Sequence, residues 1–180
     1  MAERARGHWS WGDIVRSMAV LVVPALLIAW WAEARRGDQD GPRSVAYEAE
    51  LASARERAAY DVVAPVGLDD GWTATSVRIT PVGDDGLWWH LGFLSPEDTY
   101  VGLEQSDDDR DDLLDELFEG TREDGTTTVA GEPWDRLVET GDDDDPDEAL
   151  VRTVDGVTTV VHGIGGSAEL EGFAATLQGS

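Results

Sequence analysis

The order of periodic segments predicts an α+β fold: a small domain with a mostly antiparallel sheet covered by helices, carried behind a single N-terminal transmembrane helix. Three observations predict it. An uncharged apolar run of sixteen residues lies between Arg16 and Glu33. Leu87, Trp89, Leu91 and Phe93 alternate with Trp88, His90 and Gly92, the period of a half-buried strand. Asp155-Gly156 stands between two β-rich runs, the pair that a two-residue hairpin turn demands.

From the N-terminus, the run Ser17 to Ala32 makes roughly 24 Å of helix, a little short of the ~30 Å hydrocarbon core. Trp9, Trp11, Trp30 and Trp31 suit the headgroup level, and Arg16 and Arg35 can snorkel outward. Pro24, mid-segment, is tolerated in membrane helices. The rival reading is a cleavable signal peptide, because Ala32-Glu33-Ala34 has the small-x-small form of a cleavage site. A buried core helix is the third. The basic residues tie on the two sides, so the positive-inside rule gives no orientation.

Gly37 to Ser44 is polar and rich in breakers, a linker. Tyr47, Leu51, Ala54 and Ala58 recur at helical spacing and predict a helix ending near Tyr60. Turn residues then lead into strands over 73–81, 87–93 and 99–105, the first two joined through Gly83-Asp-Asp-Gly86. Residues 107–118 carry acids early and Leu113, Leu114, Leu117 and Phe118 late, which predicts a helix capped by Ser106 and stopped at Gly120. Further strands are expected over 126–130, 134–138, 150–154 and 157–162. A last helix is expected over 168–178, capped by Ser167.

Composition excludes several functions. Thirteen Arg with no Lys, against 38 Asp plus Glu, leave a formal charge of −25. Such a surface repels nucleic acid, so no nucleic-acid partner is expected. The absence of cysteine removes disulfides, thiolate metal sites, a Cys nucleophile and a lipidated Cys.

The candidate chemistry is weak. Gly163, Gly165 and Ala168 satisfy G-x-G-x-x-A, but the chain ends before the acidic residue that a dinucleotide site requires, so a tight turn and helix cap is the stronger reading. Gly165-Gly-Ser167-Ala-Glu169 lacks the final glycine of a nucleophile elbow, and His90 and His162, the possible bases, sit in strand patterns. The acidic runs 107–112 and 142–145 lack the ligand spacing of a calcium loop and read as solvated charge. Trp72, Trp88, Trp89 and Trp134 suit a core better than a binding groove. No catalytic, metal or cofactor-binding residue is nominated, and no cofactor is expected.

In combination, Pro65-Val-Gly-Leu-Asp-Asp-Gly-Trp72, the stretch from Trp89-His-Leu-Gly-Phe-Leu-Ser-Pro to Gln105-Ser106, and Val129-Ala-Gly-Glu-Pro-Trp134 resemble an actinobacterial family of membrane-anchored proteins known as domain of unknown function 4245. The resemblance implies a single-pass protein with its domain outside the cytoplasmic membrane, and it supplies no activity or site residues. By element order the domain is similar to small α/β/α sandwiches of the kind found in photosystem-associated and mycobacterial lipoprotein families.

The expected organisation is a short cytoplasmic tail (1–16), a transmembrane anchor (17–34), a linker (35–45) and an acidic extracytoplasmic domain (46–180). The expected function is a non-enzymatic binding module of the cell envelope, with the membrane and an envelope protein or ligand as partners. An envelope hydrolase using Ser167 and a calcium-responsive domain are the alternatives.

Overall fold

A computed structural model describes residues 44–84, 86–140 and 146–179; the proposed tail, anchor and most of the linker lie outside them. Among the described residues no helix is long and apolar enough to cross a membrane.

In chain order the elements are α1 (Glu48–Arg57), β1 (Ala64–Pro65), β2 (Thr73–Val82), β3 (Gly86–Leu94), β4 (Tyr100–Ser106), α2 (Arg110–Leu117), β5 (Thr121–Val129), β6 (Glu132–Glu139), β7 (Glu148–Val154), β8 (Val157–Gly163), α3 (Ser167–Ala174) and β9 (Leu177–Gln178). Seven strands form one sheet in the order β2-β3-β4-β8-β7-β6-β5, and every pairing in it is antiparallel. The expected antiparallel sheet with helices is therefore found.

Period-two alternation decides which side chains meet. On one face, Leu87, Trp89, Leu91 and Phe93 of β3 join Val101 and Leu103 of β4, Leu150 and Val161, and there Ala54 of α1 and Leu170 and Phe173 of α3 pack on them. Tyr47, Trp72, Phe93 and Phe173 extend this core as an aromatic cluster with ring centroids 5.3–6.5 Å apart. On the opposite face, Leu113 and Leu114 of α2 and the following Phe118 pack on Leu137, Ala149, Val151 and Val160. That cluster draws on β6, β7 and β8, with Trp88 of β3 packed against it, and the rest of the same face of β2, β3 and β4 carries mostly polar side chains.

Two tight turns are built from left-handed backbone. Asp155 (φ 51°) and Gly156 (φ 82°) join β7 to β8, where the sequence places a hairpin, and Ala130 (φ 51°) and Gly131 (φ 88°) join β5 to β6 in the same way.

Several boundaries differ from expectation. The cap of α2 is Asp109, whose side chain accepts from the Asp111 N–H, while Ser106 Oγ accepts from the Asp108 N–H one turn too early to open the helix. Asp107 is diverted to the Leu87 N–H, 2.8 Å away. β5 begins at Thr121, before the expected 126: its sequence is almost wholly exposed and bulged between Glu123 and Thr126, so no apolar alternation marks it. The last helix starts at Ser167 behind Gly166 and stops at Ala174, because Leu177–Gln178 leaves to pair with Ala64–Pro65, a contact between distant segments. Ser167 makes no cap. Val45, placed in the linker, donates to the Ala74 carbonyl at 2.8 Å.

Candidate functional site

A β-bulge creates the site. Between Ala74, paired with Phe93, and Ser76, paired with Gly92, β2 gains one residue at Thr75. The extra residue inverts the alternation, so Ala74, Val77 and Ile79 face the aromatic core while Ser76, Arg78 and Thr80 turn to the polar face. Two cross-strand rows result. One runs Arg78, His90, Glu104, Val160; the other runs Ser76, Gly92, Gly102, His162.

Glycine in the second row makes room for rings. A Cβ on Gly102 would stand 2.3 Å from His162 Nε2, and one on Gly92 would meet Ser76 Oγ at 2.3 Å and the Tyr100 ring at 2.9 Å. Both glycines thus mark close approach within a strand.

At the centre lies Glu104, only 2 % exposed. Its Oε1 stands 2.5 Å from His90 Nδ1, and its Oε2 accepts from Trp88 Nε1 at 2.6 Å. On the far side of His90, Nε2 is 2.9 Å from Ser76 Oγ. His162 approaches Glu104 Oε1 through Nε2 at 3.6 Å, beyond hydrogen-bond reach but close enough to pair charges, and its Nδ1 is 3.2 Å from Asp147 Oδ2. His162 Nε2 is buried without a hydrogen-bond partner.

Burial by itself raises the Glu104 carboxyl, but His162, His90 and Trp88 outweigh it and hold the group below its ordinary value. Burial likewise lowers His162, and the flanking Asp147 and Glu104 carboxylates overcome it, pushing the imidazole up to about 9. Glu104 is therefore an ionised carboxylate with a cationic imidazole beside it at neutral pH.

That shift has a measurable consequence. A histidine raised from 6.5 to about 9 contributes stability that is complete below 6.5 and lost as pH climbs through 9. The melting temperature is expected to fall between pH 6.5 and 9, and thermal scans of His162→Gln should be flatter across that window. A wild-type curve flat from 6.5 to 9 would contradict the arrangement.

A cavity of about 360 Å³ opens over the network, lined by Arg78, Thr80, Trp88, His90, Glu104, Glu116 and Leu117. Its volume falls at the lower end of the ~300–1,000 Å³ typical of small-molecule sites.

The residues weighed in the sequence separate here. His90 and His162 share this face, whereas Ser167 lies on the other, donating to Glu148 and accepting from Arg136 at 2.6 Å. Among the described residues no histidine partners it, so the hydrolase reading loses its expected nucleophile. The glycine turn is closed to phosphate by a carboxylate: a Cβ on Gly165 would overlap Glu169, whose oxygens accept from Thr99 Oγ1 at 2.9 and 2.7 Å. Trp89 and Trp134 are core residues and Trp72 packs against the core, while Trp88 lines the cavity. Asp107 and Asp109 serve backbone N–H groups, and the run 142–145 lies outside the described residues. No group of three or more potential metal ligands occurs among the described residues.

Sequence reasoning missed Ser76, Glu104 and Asp147. Glycines inside two strands, Gly92 and Gly102, were the available signal.

Fold and site together define a small α+β domain with an ionised carboxylate and two histidines buried on the polar part of its sheet, beside the C-terminal end of α2. Residues 6–177 match the family described as Protein of unknown function (DUF4245), and the chain belongs to that family. No curated protein and no solved structure matches it.

Proposed function

We propose that this chain is a single-pass membrane protein presenting an acidic extracytoplasmic domain as a binding module of the cell envelope, with its ligand seated in the cavity over Glu104. The observation that carries the reading is the buried, ionised Glu104 network at the floor of that cavity. Holding a carboxylate there costs several kcal/mol of desolvation. An apolar pair like that beneath α2 would pack the same sheet without that cost, and perturbed carboxylates in clefts concentrate at functional sites. The apolar run Ser17 to Ala32, with its Trp and Arg flanks, supports the tether, and the net charge of −25 argues against polyanionic ligands.

Two measurements on the full chain test the two halves of the reading. In spheroplasts, external protease should digest a C-terminal tag on a membrane-bound protein of full-length mass; protection would place the domain inside, and a soluble, shortened product would make it a secreted one. In detergent micelles, a short neutral amide such as N-butylacetamide should quench tryptophan emission saturably in wild type and not in Trp88→Phe. Identical responses from both proteins would remove the cavity as the binding site.

A further inference from the structure

We propose that the bound ligand is a small carboxylic ester and that Ser76 is its nucleophile, activated by His90 and Glu104. The inference rests on the cavity reading above and names its substrate class. Ser76 Oγ, His90 Nε2, His90 Nδ1 and Glu104 Oε1 lie in series with contacts of 2.9 and 2.5 Å, the serine–base–carboxylate relation that defines an acyl-transfer triad by geometry and not by sequence order.

The proton positions follow from the charges. Glu104 is ionised and only accepts, so the hydrogen of this contact sits on His90 Nδ1. In the neutral ring Nε2 is then an acceptor, and Ser76 O–H donates to it. Trp88 Nε1–H fixes the other carboxylate oxygen, which prevents Glu104 from rotating away. Tyr100 Oη and Ser76 Oγ both lie over Gly92, where a Cβ would stand 2.9 and 2.3 Å from them, and the phenol is raised, first by burial and then by the Glu104 charge, so it stays protonated. The bulge at Thr75 gives the chain its reason for this geometry: without it Ser76 would face the aromatic core.

In the reaction Ser76 Oγ attacks the ester carbonyl carbon and its proton passes to His90 Nε2. The oxyanion formed is met by the Tyr100 hydroxyl and by the Arg78 guanidinium, which stands on the same face of β2 and lines the cavity. Collapse breaks the bond to the alcohol oxygen, which leaves with the proton from His90. Water then attacks the acyl-Ser76 carbonyl, giving its proton to the same nitrogen, and the acid departs as Ser76 is reprotonated. Ester and water become acid and alcohol, with no other reactant. Ser76 is half-buried outside the cavity lining, 2.9 Å from Nε2 of His90, which lines it, so the acyl chain occupies the cavity and the ester carbonyl meets Ser76 at the His90 edge; the volume suits a short chain, and the acidic surface favours a neutral or cationic ester.

The test is fluorophosphonate labelling of the full chain in detergent micelles, with peptide mapping, alongside hydrolysis of p-nitrophenyl butyrate. The expected result is an adduct on Ser76, absent from Ser76→Ala and retained in Ser167→Ala, and butyrate hydrolysis reduced at least about 100-fold in Ser76→Ala and in His90→Gln. The rate of labelling should fall in His90→Gln. Melting curves identify any variant that fails to fold; Ser76→Ala removes one oxygen and keeps the test open if His90→Gln unfolds. An unlabelled Ser76 in a chain with an intact melting transition overturns the proposal, as does a labelling rate unchanged by His90→Gln. If Ser76 stays unlabelled while N-butylacetamide still quenches Trp88, binding stands and the nucleophile falls; if both fail, the cavity reading falls with it.

Discussion

Glu104→Ala is expected to destabilise the domain by about 3–5 kcal/mol, the cost of removing one partner from a buried, hydrogen-bonded charge cluster. The substitution leaves His90 Nδ1 and Trp88 Nε1 facing a void, and it leaves His162 with Asp147 as its remaining counter-charge. For a domain of this size, thermal unfolding should shift downward by roughly 10 °C or more. Glu104→Gln keeps the shape and one acceptor oxygen and should cost less. Both variants should also flatten the decline of stability between pH 6.5 and 9, because Glu104 is one of the two carboxylates that hold the His162 proton. A loss under about 1 kcal/mol in Glu104→Ala, measured by denaturant titration, would mean that water replaces the carboxylate without penalty and that the cluster is less dry than described.

Gly163→Ala should be worse still. A Cβ at Gly163 would lie 2.1 Å from the Tyr100 carbonyl oxygen and 3.2 Å from its carbon, both backbone atoms of a neighbouring strand. Gly163 pairs with Val101 on one side and Glu148 on the other, so neither neighbour can retreat without breaking a ladder. The expected loss exceeds about 4 kcal/mol, read as insoluble expression or absence of a cooperative melting transition. Gly172→Ala is the matched control. Nothing lies within 4 Å of a Cβ there, the position is exposed in α3, and alanine should stabilise the helix by up to about 1 kcal/mol. A soluble Gly163→Ala with wild-type melting would show that β4 and β8 separate more easily than their register implies.

These two glycines also show where sequence reading reached its limit. The period-two stripe of Leu87, Trp89, Leu91 and Phe93 was legible because each side chain answers to one requirement, exclusion from water, and all four are buried on the same face. The Asp155-Gly156 turn was legible because only a few residue types tolerate positive φ in succession. Combined motifs around Trp72, Trp89 and Trp134 were enough to reach the family. By contrast, Thr121 to Thr128 carries no apolar alternation, because an edge strand needs only backbone partners on one side; its charges instead discourage further pairing. The end of α3 was misplaced because pairing between β9 and β1 joins segments more than a hundred residues apart, which no local propensity encodes.

What the sequence by itself determined is the set of elements whose chemistry is local: the apolar stripes, the hairpin turns, the acidic surface and the absence of thiol chemistry. The tertiary structure alone decided the site. Ser76, His90, Glu104, Asp147 and His162 come from separate stretches of chain, and each is unremarkable where it stands in the sequence. They meet because one bulged residue inverts the face of β2 and two strand glycines let rings lie across the sheet. A bulge changes no residue type, and a register is a relation between strands, so the physical cause of the site lies in pairings that only the folded sheet contains.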